Sequence, residues 1–285
     1  MYMTDLSDLE FYLTLANSVI LHTSQSADAL PLTSPPRTPL KIGVDLGTAY
    51  LMVTVLDANN TPLAGEWQFA QVARDGLIVD FIGAVDLLHG MKHRLERRLG
   101  CELTHAASGY PPGVPLAEVR ATANVLEAAG FQCTNLTDEP SAANLILNKQ
   151  NGVVVDVGGG TTGIAVIEDG KVVYTADEPT GGTHFSLVIA GALGMTFEEA
   201  EALKVQNTEH TRLFPLIRPV MEKVASITSR HIRDRNVDSI TLVGGTAAFK
   251  GIANVVEEYT GIPTAVPIFP ASITPLGLAM SDRLE

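Results

Sequence analysis

The spacing of hydrophobic positions changes several times along the chain, and each change marks an element. Leu6, Leu9, Leu13, Ala16 and Ile20 recur every three or four positions, the apolar stripe of an amphipathic helix. Pro31, Pro35, Pro36 and Pro39 then punctuate a small, polar stretch from Ser24 to Pro39, which reads as a linker. The stripe is open to two readings, a helix packed on the body or a docking helix carried on that linker. From Leu40 the pattern turns to strands. Lys41-Ile-Gly-Val-Asp45-Leu-Gly-Thr48 leads into an apolar run from Leu51 to Leu56 and the turn Asp57-Ala-Asn-Asn60. The same order returns in Val153-Val-Val-Asp156-Val-Gly-Gly-Gly160-Thr161-Thr162, followed by Ile164 to Ile167, the turn Asp169-Gly170 and Lys171 to Tyr174. Each copy is a β-branched strand ending in Asp, a Gly/Thr turn, a second strand, a further turn and a third strand. A unit written twice predicts two homologous halves facing each other.

Helical periods fill the remainder. Gly83 to Arg98 ends in a basic turn, Leu116 to Ala129 stops at Gly130, and Pro140 to Asn148 carries Pro in its first turn. Phe197 to Lys204 and Pro219 to Arg233 are two more. Ser239 to Val243 reads as a strand, after which Gly244-Gly245-Thr246 opens a helix with Phe249, Ile252, Val256 and Tyr259 on one face. Strands alternating with helices place the chain in the α/β class.

Composition removes several functions. The 285 residues hold 19 Lys and Arg against 32 Asp and Glu, a net charge of −13. Such a chain repels phosphate backbones and anionic lipid, so no nucleic-acid or membrane partner is expected. Cys101 and Cys133 form no CxxC motif and no disulfide framework, which points to the reducing cytosol. A membrane helix needs about 20 apolar residues; the best stretch, Phe185 to Met195, is short and contains glycine. The acidic opening Met-Tyr-Met-Thr-Asp is unlike a secretory signal.

Candidate chemistry gathers at the glycine turns. Gly158-x-Gly160-x-x-Gly163 matches GxGxxG, but a β-hairpin follows where a dinucleotide fold needs a helix. A Gly/Thr turn instead offers successive N–H groups as an anion cradle, and glycine lets phosphate approach the backbone. An Asp at the strand end holds Mg²⁺ through its waters. Two such hairpins, with Asp45 and Asp156, would clamp a triphosphate from both sides. No Walker sequence and no Gly-x-Ser-x-Gly elbow occurs. His89 and His93, one helical turn apart among basic neighbours, fit a solvated face better than a metal site. His184, beside Gly181 and Gly182, reads as a structural polar residue. Glu139, in Asp138-Glu139-Pro140-Ser141, begins the helix that joins the halves. It serves either as a helix-start acid or as the group that orients an attacking water.

At these residues a family resemblance emerges. Asp45-Leu-Gly-Thr48, Asp156-Val-Gly-Gly-Gly-Thr161, Asp138-Glu-Pro-Ser-Ala-Ala143 and Leu242-Val-Gly-Gly-Thr246 resemble the phosphate, connecting and adenosine motifs of the actin/DnaK/hexokinase superfamily. More narrowly, Arg74 to Ala84, His105 to Gly113, Thr180 to His184, Pro219 to Lys223 and Thr274-Pro-Leu276 are similar to the EutJ family of ethanolamine utilization. The resemblance implies an actin-like ATPase fold, two duplicated RNase H-like subdomains around a nucleotide cleft. The organisation it implies is an N-terminal helix and linker over residues 1–39, a first subdomain of 40–140 plus 264–285, and a second of 141–263.

By the same resemblance Asp45 and Asp156 would flank Mg²⁺, and Glu139 would position water. Gly47, Thr48, Gly158, Gly159, Gly160, Thr161 and Thr162 would hold phosphates. Gly244, Gly245 and Thr246 would approach the sugar, and Glu222 would reach the ribose of ATP or ADP. The chain departs from DnaK-type chaperones at Ala248 and near Ala225, where they carry an adenine-side arginine and lysine. Their lysine at the terminal phosphate has no evident counterpart, Arg74 and Lys92 being the nearest substitutes. No peptide-binding domain is expected. The implied function is a cytoplasmic, chaperone-like ATP-binding and slowly hydrolysing factor for a bacterial microcompartment enzyme or shell protein. A non-hydrolysing scaffold is the alternative, and a small-molecule kinase lacks a sugar-binding loop.

Overall fold

The computed structural model describes residues 6–37, 39–74 and 77–283. Asp75 and Gly76, in the segment from Arg74 to Ala84, lie outside the described residues, as do Met1 to Asp5 and the side chain of Leu6. The chain divides into two compact units. One holds the described residues up to Asn148 and those from Ser272 on; the other is Lys149–Ala271.

The first unit opens with α1 (Leu6–Val19), β1 (Ile20–His22) and the short α2 (Thr23–Ser26). Leu9, Tyr12, Leu13 and Ala16 are buried, so the stripe of α1 is spent on the unit itself and is not a free docking face. The following Pro-rich stretch is also held to the unit, with the Leu32 N–H donating to the Arg98 carbonyl at 2.8 Å. Strands β2 (Leu40–Leu46), β3 (Tyr50–Asp57) and β4 (Pro62–Phe69) form the predicted antiparallel meander. Asp57 shapes the second turn by accepting from the N–H groups of Asn59 and Thr61 at 2.8 and 2.7 Å. A two-strand ribbon, β5 (Ala73–Arg74) and β6 (Leu77–Ile78), precedes α3 (Phe81–Leu99). Asp80 caps α3 through the Gly83 N–H, and Gly100 ends it in the left-handed region. Then come β7 (His105–Tyr110), α4 (Leu116–Ala128), β8 (Gln132–Asp138) and α5 (Glu139–Leu147). The sheet runs β1-β4-β3-β2-β7-β8. Leu88, Met91, Leu95 and Leu99 of α3 pack on Ile42, Val44, Val53 and Val55.

The second unit repeats the plan. Strands β9 (Gly152–Val157), β10 (Thr162–Glu168) and β11 (Lys171–Glu178) form a meander, followed by α6 (Gly182–Leu193), α7 (Phe197–Lys204) and α8 (His210–Ile232). After these, β12 (Ile240–Val243) pairs parallel to β9, a 3₁₀ turn spans Gly245–Ala248, and α9 (Ile252–Thr260) and β13 (Thr264–Ala265) follow. The order β11-β10-β9-β12-β13 matches β4-β3-β2-β7-β8 strand for strand, so the duplication read from the sequence is a duplication of topology. Two local expectations change. α8 begins at His210 and continues through Pro215 and Pro219, so Pro219, which read as a helix start, lies inside it. The helix expected to open at Gly244 is a single 3₁₀ turn, because Gly251, at φ +95°, breaks the chain before α9.

The last helix, α10 (Ile273–Ser281), belongs to the first unit. Gly277 lies so close to Ala142 of α5 that a Cβ would overlap its carbonyl. Thr54 of β3 donates to the Pro275 carbonyl at 2.8 Å. Just past α10, buried Asp282 accepts from the Ile42 N–H at 2.8 Å and from the Thr134 hydroxyl, with His105 Nε2 at 3.3 Å. This packing explains where the breaks fall. The first passes after α5 at Asn148, not at residue 140, because α5 packs on α10. The second falls at 271, not 263, because β13 pairs with β12.

Candidate functional site

In the first unit, β2, β7 and β8 run parallel, so their carboxyl ends share one edge of the sheet. Open α/β sheets bind ligands at such edges. Asp45 stands there opposite Met52, followed by the turn Gly47-Thr48-Ala49. A Cβ on Gly47 would lie 2.7 Å from the Tyr50 carbonyl and 3.7 Å from Asp45 Oδ1, which puts the carboxylate beside the turn. Asp45, Gly47 and Thr48 are all half-buried. Asp138 ends β8 and caps α5, accepting from the Ser141 N–H at 3.0 Å. Glu139 follows in the first turn of α5. Its Cγ lies 3.2 Å from where Gly109 would carry a Cβ, so the missing side chain at the end of β7 lets Glu139 cross that strand. Tyr110, cross-strand from Asp138, has its phenol pushed up by burial and then by the Asp138 charge. The first unit thus brings Asp45, Gly47, Thr48 and Glu139 to one sheet edge.

In the second unit the equivalent edge is closer packed. Asp156 is buried on β9 and registers with Val243 of β12. The turn Gly158 to Thr161 is closed by the Gly158 N–H donating to the Thr161 carbonyl at 3.0 Å. Its carbonyls are held from behind. Gly158 O accepts from the Gly182 N–H at 2.9 Å and from the Thr246 hydroxyl at 2.8 Å, and Gly159 O accepts from the Thr183 N–H at 2.7 Å. The start of α6 is therefore spent on the turn. Gly244, at φ +87°, lets β12 pass so close to Asp156 that a Cβ would overlap its Oδ1. Asp156, Gly158, Gly159, Gly160, Thr161, Gly244 and Thr246 come together here, with Gly245 exposed at the rim.

Three expected residues are placed otherwise than as open ligand contacts. Thr162 is fully buried and donates to the Thr180 carbonyl at 2.6 Å. Thr246 spends its hydroxyl on Gly158 O. Glu222 is exposed on α8, accepting from Arg218 at 2.9 Å. Ala225 belongs to the core, and Ala248 is exposed. Lys92 is buried, paired with Glu96 at 2.5 Å and over the Phe131 ring, so it does not stand in for a phosphate lysine. His184 accepts from the Gly181 N–H at 3.3 Å and caps α6, a structural part. His89 and His93 meet edge to face at 4.4 Å.

A buried pair beside the second turn was not foreseen. Lys204 donates to Glu201 Oε2 at 2.5 Å and to the Gly182 carbonyl at 3.1 Å, and Ser186 donates to the same Glu201 oxygen at 2.6 Å. Burial pulls the Lys204 ammonium down, against the opposing charge of Glu201. Through Gly182 this pair braces the residue that holds Gly158. The sequence signal was a Glu and a Lys three apart on a helix capped by Thr196, which also describes an ordinary exposed helix.

Comparison with known proteins agrees with this geometry. A family model described as type IV pilus assembly protein PilM matches residues 126–272. Ethanolamine utilization protein EutJ of Salmonella typhimurium (strain LT2) is 41% identical over 264 residues, 92% of this chain and 93% of the relative. A chaperone protein HscA homolog of Burkholderia lata is 24% identical, covering 70% of this chain and 41% of its own length. The crystal structure of EutJ from Carboxydothermus hydrogenoformans superposes with a TM-score of 0.88 at 42% identity, over 97% of this chain and 99% of that one. A PilM–PilN pilus biogenesis complex gives 0.73 at 15% identity, covering 88% and 100%. MreB5 of Spiroplasma citri bound to AMPPNP gives 0.70 at 19%, covering 86% and 96%. The last two likenesses concern the fold alone. The duplicated sheets and these superpositions define a protein of the actin-like ATPase fold. Within that class, the chain belongs to the EutJ family of ethanolamine utilization proteins. Among the described residues, no helix is long and apolar enough to cross a membrane.

Proposed function

We propose that this protein binds ATP and ADP with Mg²⁺, hydrolyses ATP slowly, and uses that cycle to assist assembly or reactivation of a microcompartment enzyme of ethanolamine utilization. One observation carries the reading: each unit has an aspartate as the penultimate residue of a central strand and follows that strand with a glycine turn at the carboxyl edge of its sheet. Gly47 and Thr48 supply one phosphate cradle. The N–H groups of Gly159, Gly160 and Thr161 supply the other, since the Gly158 and Gly159 carbonyls are already tied behind the turn. Gly244, Gly245 and Thr246 border the sugar. Thr162 braces its turn through the Thr180 carbonyl, and Glu222 would reach the ribose from the exposed face of α8.

The donor set suits Mg²⁺ held through its waters. Among the described residues, no three carboxylate, imidazole or thiol groups converge to hold a metal directly, and Asp45 and Asp156 are hard oxygen donors. Bound there, Mg²⁺ would offset the phosphate charge. Glu139 would orient the attacking water, a matter of positioning more than of covalent chemistry. The HscA likeness supports the chaperone-like part, the client being a microcompartment enzyme or shell protein in the cytoplasm.

Calorimetry with Mg-ATP and Mg-ADP tests the binding. Asp45→Ala and Asp156→Ala should each weaken affinity at least tenfold, about 1.4 kcal/mol, while the melting temperature holds. Wild-type affinity in both variants would remove the reading. A second reading, a scaffold that binds without hydrolysing, is favoured by the PilM family match and the PilM–PilN complex. Phosphate release separates the two. Glu139→Gln should keep binding and lower turnover about tenfold or more, whereas a scaffold shows no turnover to lose.

A further inference from the structure

The N-terminal segment is fastened to the first unit through a short strand whose surroundings leave buried polar atoms unpaired. β1 pairs parallel to β4 at three positions, Ile20 to Gly65, Leu21 to Glu66 and His22 to Trp67. Glu66 is fully buried. Its Oε1 accepts from Arg94 Nε at 2.8 Å, from Arg94 Nη2 at 2.5 Å and from the Thr23 hydroxyl at 2.9 Å, while Oε2 has no hydrogen-bond partner among the described residues. The buried hydroxyls of Tyr12 and Ser26 are likewise unpartnered among them. All three atoms lie in the N-terminal segment or on the strand it covers. Leaving such an atom unpaired weakens a contact by roughly tenfold in its equilibrium. Opposing this, the last turn of α3 holds the segment by its carbonyls. Arg98 donates to Val19 O at 2.8 Å and Arg97 to Ala27 O at 3.1 Å.

We propose that residues 19–26 are an imperfect self-ligand of β4, a strap that opens locally and yields the edge to an extended segment of a partner protein. The strap defines what the edge takes. Its backbone fixes a parallel strand, because β4 offers a row of edge N–H and C=O groups. Ile20 covers Gly65, its Cγ1 lying 2.7 Å from where a Cβ would stand, so the partner brings an apolar side chain there. Three positions further on, where the strap has Thr23, a longer amide side chain reaches the oxygen of Glu66 that the strap leaves bare. A partner with that amide binds the edge more tightly than the strap does.

Hydrogen exchange on the full-length protein reads the opening. The amides of residues 20–22 should exchange through a local opening, ahead of the β3 amides. Tyr12→Phe removes an unpaired hydroxyl and should slow that exchange about tenfold, whereas Arg98→Gln should speed it about tenfold. A peptide of residues 16–27 carrying Gln in place of Thr23 then probes the edge. Trp67, the single tryptophan of the chain, reports its arrival, because the His22 ring lies edge-on at 4.7 Å. The peptide should bind the Arg98→Gln protein more tightly than wild type, and more tightly than the peptide that keeps Thr. Exchange of the strap only with global unfolding, or unchanged by Tyr12→Phe, overturns the proposal even if Arg98→Gln fails to fold. An opened strap with no peptide binding overturns the docking edge. Dimerisation of the Arg98→Gln protein would give that edge to the strap of a second copy and overturn the partner.

Discussion

At Gly244 the backbone takes φ +87°, and any side chain would press into the Asp156 carboxylate. Gly244→Ala should therefore do two things at once. It should cost about 1–3 kcal/mol of stability through strain and overlap, and it should displace Asp156 and weaken Mg-nucleotide binding. Thermal melting and calorimetry on one sample check both. An alanine variant that binds and melts like wild type would mean that β12 can move aside freely. The placement of Asp45, Asp156 and their glycines at the strand ends was legible because an acid before a Gly/Thr turn after a β-branched run is a local pattern. Lys204 was not, since nothing local says that a helical lysine will be buried against Gly182. Thr162 shows the converse: next to the glycine turn it read as a ligand, but its partner, the carbonyl of Thr180, is set by the hairpin return.

Among elements, α1 carries the clearest consequence. A stripe on a Pro-rich linker could have been a free docking helix, and then its removal would leave the melting temperature unchanged. Tyr12, Leu13 and Ala16 are instead buried in the first unit. Deleting residues through Leu30 should lower the melting temperature by roughly ten degrees, given ~1.5–3 kcal/mol per large buried side chain. An unchanged melting curve would contradict the packing. The period predicted this helix and its buried face; what it did not hold was the partner of that face. Proline misled in the other direction. Pro219 read as a helix start, but α8 runs through it and through Pro215, its packed positions Leu213, Ile217 and Met221 outweighing the lost backbone bonds.

For the whole molecule, the repeated topology was readable because its two copies share motif order, whereas the unit boundaries followed from contacts across the chain. Asp282 is one such contact and gives a pH signature. Burial raises its carboxyl pKa, with Thr134, the Ile42 N–H, His105 and Lys41 acting against the shift. A folded pKa above the unfolded one means that the acid form is favoured by folding. Its contribution is present below the unfolded value, about pH 4, and is lost as pH rises through the folded value. Asp282→Asn should remove that loss. Urea midpoints of variant minus wild type should therefore rise from pH 4 towards 7, and a flat difference would mean that the carboxyl titrates normally in the fold.

The return of α10 to the first unit has a consequence in time. As the chain leaves the ribosome, the second unit is complete once Ala271 has emerged, because its residues are continuous. The first unit, although made earlier, still lacks the helix that seats on α5 and the acid that binds Ile42. At about 5–20 residues per second, translation of the intervening unit takes roughly 6 to 25 seconds. Through that interval the surface that α10 covers, from Thr54 of β3 to Ala142 of α5, stands uncovered on the nascent chain. The half that carries Asp45 and Glu139 is thus finished last, after the half that carries Asp156.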